Sequence, residues 1–235
     1  MDPDNGRNED KALVETFLLV LAAIFPVVNP PGAALVFLSM TKYTSASTRR
    51  QLARRVAVNA FAVMAASLLV GAFILKIYGI SVPVLRVAGG LIVAHAGWTL
   101  LNAGDQKKAA DEQPERGRQT DYLSQAFYPL TLPLTTGPGT IAVMISLGLS
   151  QSAYSDYTQD LQFIAVSLLA IVVMAAAIYI CFAYSDRLEQ VLGRGGTDIA
   201  VRLSAFILFC LGVQIIWTGA SDLLGGLLPP GQLAK

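Results

Sequence analysis

The sequence predicts an all-α polytopic membrane protein, with six transmembrane helices arranged as two inverted three-helix repeats. Helices 1 and 4 of this arrangement are predicted to be broken at Pro/Gly motifs. Three observations predict the class. Only 14% of the 235 residues are charged, against about a quarter in soluble proteins. The apolar residues fall into six runs without charge, and one Pro/Gly motif recurs in the first and fourth of these runs.

The six apolar runs contain no Asp, Glu, Lys or Arg. In chain order they are 16–41, 56–75, 87–104, 122–149, 161–184 and 203–221. Uncharged runs of about 18 residues or more are typical of transmembrane helices. The predicted organisation is a polar tail over 1–11, a first three-helix repeat over 12–102, a linker over 103–121, a second repeat over 122–222 and a short tail over 223–235. The polar opening segment does not resemble a cleaved secretory signal.

The basic residues are concentrated in alternate connections. Twelve of the 17 Lys and Arg residues follow the first, third and fifth runs, and the connection 150–160 has none. Because cytoplasmic loops carry an excess of Lys and Arg, we expect both termini to be extracytoplasmic. The connection 103–121 is charged and poor in apolar residues, so we expect a flexible cytoplasmic linker there.

An interruption occurs twice within the apolar sequence. Residues 26–39, "PVVNPPGAALVFLS", align with residues 133–146, "PLTTGPGTIAVMIS", and this alignment pairs Pro31 with Pro138 and Gly32 with Gly139. Because each repeat has an odd number of spans, the two halves must insert in opposite senses, as in many secondary transporters.

The residues of the two interruptions suggest a binding site. Proline and glycine break helical hydrogen bonding, and groups freed in this way within a membrane must be buried in protein or face water. New helices that start near Gly32 and Gly139 would present unpaired amides to an anion. Carbonyl groups near Val28 and Thr135 would suit an ammonium group. The predicted substrate-binding residues are Asn29, Pro30, Pro31, Gly32, Thr135, Thr136, Gly137, Pro138 and Gly139. The alternative is that the prolines only kink two packed helices.

Other polar residues lie within or beside the spans. Asn59, His95 and Gln214 are candidates for supporting the site from outside it, and the favoured state of His95 is neutral and hydrogen-bonded. Arg86 and Arg202 begin the third and sixth spans and are candidate anchors or gates. The small residues Gly89, Gly90 and Gly97 predict close packing of helices.

These motifs resemble those of a known family. "NPPG" ahead of "AALVFLSMT", "LPLTTGPGT" and the pattern of three plus three spans are similar to the MarC-like integral membrane proteins, grouped with a small neutral amino acid transporter family in the lysine-exporter superfamily. The resemblance covers residues 12–222. It implies a bacterial inner-membrane location and transport of small neutral amino acids such as glycine or alanine. Pro31 stands where the family pattern is variable, which makes the first break stiffer.

The leading hypothesis is a secondary transporter of small zwitterions by alternating access. The alternatives are a channel or exporter for another small solute and a non-transporting membrane scaffold. An intramembrane enzyme is disfavoured because the spans lack paired acids, HExxH and a Ser-His arrangement. The lack of a Walker motif disfavours ATP-driven transport. We expect no cofactor apart from a coupling ion, sodium or proton. The expected partners are the substrate and the lipid bilayer, with a homo-oligomer as an open alternative and no nucleic acid.

Overall fold

A computed structural model describes residues 3–41, 44–110, 126–151 and 157–225, and every regular element within them is helical. The first half of the chain contains α1 (Pro3–Val28), α2 (Pro30–Met40), α3 (Ala46–Tyr78) and α4 (Val82–Ala110). The second half contains a π-helix, π1 (Phe127–Thr135), followed by α5 (Pro138–Gln151), α6 (Tyr157–Ala183) and α7 (Ser185–Gly225).

Five stretches of the described residues are long and apolar enough to cross a membrane: Lys11–Leu38, Ala46–Tyr78, Val82–Asn102, Asp160–Ala183 and Ile199–Gly225. The fourth predicted span, 122–149, does not form one long helix because it is divided between π1 and α5. The 14 residues of α5 extend for about 21 Å, which is less than the hydrocarbon thickness of about 30 Å. The structure is therefore an all-helical membrane protein, and the six-helix inverted repeat stays a prediction.

Two helices extend into segments that were expected to be polar connections. The described part of the predicted tail 1–11, from Pro3 onward, belongs to the helix α1. The helix α4 continues to Ala110, eight residues beyond Asn102, through good helix formers such as Ala, Gln and Lys. The rest of the predicted linker, 111–121, and the tail from 226 lie outside the described residues.

The helices form a main core and a separate close pair. Buried apolar side chains of α1, α2, α3, π1, α5 and α6 form the core, and Phe37 stacks on Phe182 with ring centroids 4.5 Å apart. The helices α4 and α7 pack against each other along much of their length. A Cβ added at Gly90 would lie 2.8 Å from the carbonyl oxygen of Gly212, and one at Gly97 would lie 2.8 Å from Phe209 Cα. The predicted packing role of these glycines is confirmed.

Two ion pairs fasten the ends of α7. At its start, Asp186 accepts a hydrogen bond from the buried guanidinium of Arg49, which lies in the first turn of α3. Near its end, Asp222 accepts a hydrogen bond of 2.6 Å from Arg86, which lies in the first turn or so of α4. Between these ends, α7 bends at Gly193, where φ is 66° and ψ is 171°.

Candidate functional site

The first interruption is a single residue between two helices. The helix α1 ends at Val28, α2 begins at Pro30, and Asn29 between them has φ 45° and ψ 62°, in the left-handed region. In the part of the chain that the structure describes, Asn29 is the one non-glycine residue with positive φ. Asparagine tolerates this conformation better than most residues do, and proline is favoured at the first position of a helix. The sequence "NPPG" therefore ends one helix and starts another without a loop.

The N–H groups of Asn29, Gly32 and Ala33 all have hydrogen-bond partners at this interruption. Asn29 donates its amide hydrogen to the carbonyl oxygen of Phe25 at 2.9 Å, and its own carbonyl accepts from Ala33 at 2.9 Å. Its side-chain Oδ1 accepts from the amide of Gly32 at 3.3 Å. This corrects the expectation that Gly32 presents an unpaired amide, because Asn29 caps α2 and the two prolines before Gly32 have no N–H to offer. What the interruption presents to a ligand is the side-chain NH₂ group of Asn29 and the positive end of the α2 dipole.

The second interruption has a different construction. The π-helix π1 ends at Thr135, α5 begins at Pro138, and Thr136 between them has φ −119° and ψ 71°. A backbone hydrogen bond at the end of π1 joins residues five apart: the N–H of Thr136 donates to the Thr131 carbonyl at 2.8 Å. The side-chain hydroxyl of Thr135 also donates to a carbonyl five residues earlier, that of Leu130, at 2.7 Å. Short π-helical segments of this kind occur frequently at functional sites.

Four threonines at the second interruption are buried: Thr131, Thr135, Thr136 and Thr140. The hydroxyl of Thr136 is fully buried, and no atom of the described residues is its hydrogen-bond partner. Hydroxyls of Thr44, Ser146 and Ser167 share that property elsewhere. Because buried polar atoms are normally hydrogen-bonded, the Thr136 hydroxyl is available to a ligand or an ordered water.

The structure brings the two interruptions together. A Cβ added at Gly139 would overlap Val93 Cγ2 of α4 and would lie 3.5 Å from Cγ1 of Val27, two residues before Asn29. A Cβ at Gly89 would lie 2.7 Å from the Cβ of Ala142. The start of α5 therefore packs directly on α4 and on the end of α1, and glycine at position 139 makes this contact sterically feasible.

A cavity of about 40 Å³ lies beside the first interruption. Because one water molecule needs about 10–15 Å³ of such volume, the cavity would hold about three water molecules. The residues that α1, α2 and their junction contribute are Val27, Val28, Asn29, Gly32, Ala33 and Val36. The residues that α4 and α7 contribute are Leu100, Val201, Ser204, Ala205 and Leu208. The lining carries no charged side chain, and its polar side chains are those of Asn29 and Ser204.

The remaining predicted residues are dispersed. Pro30 is buried and Pro31 is exposed, while Gly137 and Pro138 are half-buried at the second interruption. None of the predicted supporting residues lines the cavity: Asn59 is half-buried on α3, and His95 and Gln214 are exposed on α4 and α7. Arg86 pairs with Asp222, as an anchor would, and Arg202 is exposed on α7.

Several residues of interest did not stand out in the sequence. Ser204 lies in an apolar run, and an added Cβ at Gly32 would be 2.9 Å from its Cβ. Thr131 and Thr140 flank the second motif, where their spacing from Thr135 and Thr136 was the available signal. Arg49 counted only as a loop charge, although its side chain is 7% exposed and it forms an ion pair.

The fold and the site together define a polytopic helical membrane protein with a small uncharged cavity at a helix interruption. The chain belongs to the MarC family: the sequence profile described as MarC family integral membrane protein matches residues 14–224. Two similar relatives are the inner membrane proteins MarC of Salmonella typhimurium strain LT2 and of Escherichia coli O1:K1. They are 31% and 32% identical over 212 residues, which cover 88% of this chain and 94% of each relative. No solved structure gives a significant match. The family resemblance drawn from the motifs is therefore confirmed.

Proposed function

We propose that this protein is a secondary transporter of small neutral amino acids, zwitterions of the size of glycine or alanine, that works by alternating access. The observation that carries the proposal is the cavity beside the left-handed residue Asn29, between α2 and α7. Transporters commonly bind substrate where a helix is discontinuous near the middle of the membrane. A cavity of about 40 Å³ is matched to a ligand of few heavy atoms.

The chemistry of the cavity favours a ligand without net charge. Its lining has no acidic or basic side chain, so a net ionic charge would be buried without a counter-charge, which is unfavourable. Asn29 and Ser204 can donate hydrogen bonds to a carboxylate, and the start of α2 adds the positive end of its dipole. The alkyl groups of the remaining lining residues can contact a small apolar side chain.

The second interruption is proposed to complete the site when the protein changes conformation. The Thr136 hydroxyl is buried without a partner among the described residues, and carbonyl groups near Thr135 can accept from an ammonium group. In the present conformation Gly139 is packed against Val93 and Val27. A movement of α5 relative to α4 that brings the second interruption into contact with the cavity is the proposed access step.

The helix contacts support an inverted repeat. If α1, α2, α3 and α4 correspond to π1, α5, α6 and α7, most contacts between helices have a counterpart when the two halves are exchanged. Thus α3 packs on α5 as α6 packs on α2, and α4 packs on α5 as α7 packs on α2. The helices α1 and π1 likewise pack on α6 and α3. Such exchange is what a pseudo-twofold axis in the membrane plane produces.

Further parts of the proposal concern location and energetics. The protein is proposed to be a multi-pass protein of a bacterial inner membrane, with both termini extracytoplasmic, in accord with the distribution of Lys and Arg. Transport would be driven by a sodium or proton gradient, without an organic cofactor and without enzymatic chemistry. The same experiment tests for a homo-oligomer, because the mass of the reconstituted protein can be measured.

The test is uptake of labelled glycine and alanine into proteoliposomes, with and without imposed sodium and proton gradients. We expect saturable uptake that is lost in Asn29→Leu and reduced in Ser204→Ala. The matched control is Asn102→Leu, because Asn102 is exposed on α4 and its amide donates to the Trp98 carbonyl at 2.9 Å, outside the cavity. Asn29→Gly separates binding from backbone strain, since glycine accepts positive φ.

Other outcomes identify the alternatives. Uptake that does not saturate and shows no counterflow between labelled and unlabelled substrate would indicate a channel. Saturable uptake of another small solute, but not of glycine or alanine, would reassign the substrate. Absence of uptake for all solutes in correctly folded, correctly inserted protein would favour a scaffold and would overturn the proposal.

A further inference from the structure

The lining of the cavity is chemically divided. Its two polar side chains both lie against Gly32: Cγ of Asn29 and Cβ of Ser204 would each be 2.9 Å from a Cβ added there. The other lining side chains are alkyl groups, and we refer to them as the alkyl wall. The largest of them are Leu100 and Leu208. A bound zwitterion that places its charged groups near Asn29 and Ser204 must therefore direct its side chain at this alkyl wall.

The two leucines come from different helices, and both line the cavity. Leu208 lies one helical turn after Ser204 on the same face of α7. Leu100 follows Gly97 by three residues on α4, and a Cβ at Gly97 would be 2.9 Å from the carbonyl oxygen of Ala205. Both leucines are half-buried, so neither side chain lies fully on the exposed surface of the protein.

The helices that carry the two leucines form one closely packed pair. The helices α4 and α7 approach until their backbones touch: an added Cβ at Gly212 would lie 2.6 Å from Ala94 Cα, and one at Gly90 would lie 2.8 Å from the Gly212 carbonyl oxygen. Because no side chains lie between the helices at these positions, they cannot move closer together. The largest side chains that this pair directs into the cavity are Leu100 and Leu208.

We infer that Leu100 and Leu208 determine the largest side chain that a bound amino acid can carry. This inference rests on the proposed function. Truncation of either leucine to alanine removes three carbon atoms from the wall and makes room for a branched side chain. One methylene group more or less in an apolar pocket changes selectivity by about 10- to 200-fold, so the effect of truncation is measurable.

The experiment compares uptake of alanine and valine by proteoliposomes that contain the full chain. It also measures the thermal midpoint of the detergent-purified protein in the presence of each amino acid. Leu100→Ala and Leu208→Ala are expected to raise the valine-to-alanine ratio of uptake efficiency by about tenfold or more. The controls are Leu91→Ala on α4 and Leu203→Ala on α7, both of which are exposed and outside the lining. Val201→Leu, which fills the cavity, is expected to disfavour alanine relative to glycine.

Each outcome distinguishes this inference from the proposed function. If the wild type transports alanine and neither truncation changes the ratio in folded protein, the leucines do not set the limit and the inference is overturned while the transporter proposal stands. If no amino acid is transported but alanine stabilises the wild type and valine stabilises only the truncated variants, the size limit holds and the transport proposal fails. Absence of both uptake and stabilisation for every amino acid would overturn both.

Discussion

Arg49, near the start of α3, donates a hydrogen bond to Asp186, at the start of α7, across 137 positions of sequence. The same guanidinium also donates to the hydroxyl oxygen of Thr41 at 3.2 Å and to the carbonyl oxygens of Thr41 at 3.1 Å and Thr44 at 3.3 Å. One buried side chain thus joins the end of α2, the start of α3 and the junction of α6 with α7. It fastens the two halves of the chain at one end of the helices.

Removal of the counter-charge of Arg49 is expected to be costly. Asp186→Asn leaves a guanidinium that is 7% exposed without a carboxylate. Because Asp186 itself is 45% exposed, we expect the free energy of unfolding to fall by about 1.5–3 kcal/mol, the range for a hydrogen bond to a charged group. The matched control is Asp222→Asn on the same helix, whose partner Arg86 is 31% exposed and whose loss should cost less than about 1 kcal/mol. Thermal midpoints in detergent micelles measure the difference. Equal shifts for the two variants would contradict a structural role for the pair of Arg49 and Asp186.

The left-handed conformation of Asn29 makes a second prediction. Asn29→Leu loses the cap of Gly32 and places a bulky residue at φ 45°, so we expect it to destabilise the protein by about 2 kcal/mol. Asn29→Gly loses only the cap and keeps the backbone conformation, so its cost should be a few tenths of a kcal/mol. Thermal unfolding in detergent ranks the two variants. A glycine variant as unstable as the leucine variant would show that the side chain, and not the backbone, decides stability here.

The glycine contact between α4 and α7 makes a third prediction. In Gly212→Ala the new methyl group would meet the backbone of Ala94, with Cα at 2.6 Å, and a backbone cannot rotate away as a side chain can. We expect a loss of about 1–3 kcal/mol of stability. Gly195→Ala is the control, because nothing lies within 4 Å of a Cβ added at Gly195 on the same helix. A thermal midpoint for Gly212→Ala equal to that of the control would refute close packing of α4 on α7.

A compensating pair tests the contact between α5 and α4. Gly139→Ala should overlap Val93 Cγ2, so we expect lower stability and slower transport in the single variant. Val93→Ala removes both γ carbons, so the double variant Gly139→Ala/Val93→Ala should recover much of the loss through coupling between the two sites. Stability and initial uptake rates of the two single variants and the double variant complete the cycle. Simple additivity of the two effects would show that the residues do not touch.

The orientation of the termini makes the last prediction. The distribution of Lys and Arg predicts extracytoplasmic termini and a cytoplasmic connection around residues 103–121. Reporter enzymes fused at the C-terminus should therefore be active only as periplasmic reporters, and those inserted near residue 115 only as cytoplasmic ones. A C-terminus on the cytoplasmic side would mean that π1 and α5 together do not cross the membrane, leaving five crossings.

The helical class and most helix positions could be predicted from the sequence because lipid imposes a simple rule. A chain in hydrocarbon must pair its backbone groups within each helix, so long uncharged runs identify the helices. The Pro/Gly motifs around Asn29 and Thr136 could be identified as well, because proline and glycine act on the local backbone. The family could be inferred from the same local motifs, and the match over residues 14–224 confirms it.

The contacts between distant segments could not be predicted in this way. The cap of Gly32 by Asn29 depends on the rotamer of one side chain, and the part of the fourth run that precedes its Pro/Gly motif forms a π-helix where an α-helix was expected. Nothing in an apolar run distinguishes Ser204, which lines the cavity, from a serine that faces lipid. Hydropathy averages over neighbours in sequence, whereas a cavity is made by neighbours in space.

The sequence by itself determined that this chain is a helical membrane protein of the MarC family with two Pro/Gly motifs in its apolar runs, because membrane insertion and helix breaking depend on local composition. Only the tertiary structure decided that the first interruption borders a cavity while the second is packed against Val93 and Val27. It also decided that Arg49 is buried and forms an ion pair with Asp186, and is not a solvated loop charge. These outcomes depend on how closely the helices approach one another, and that is set by the packing of side chains from both halves of the chain.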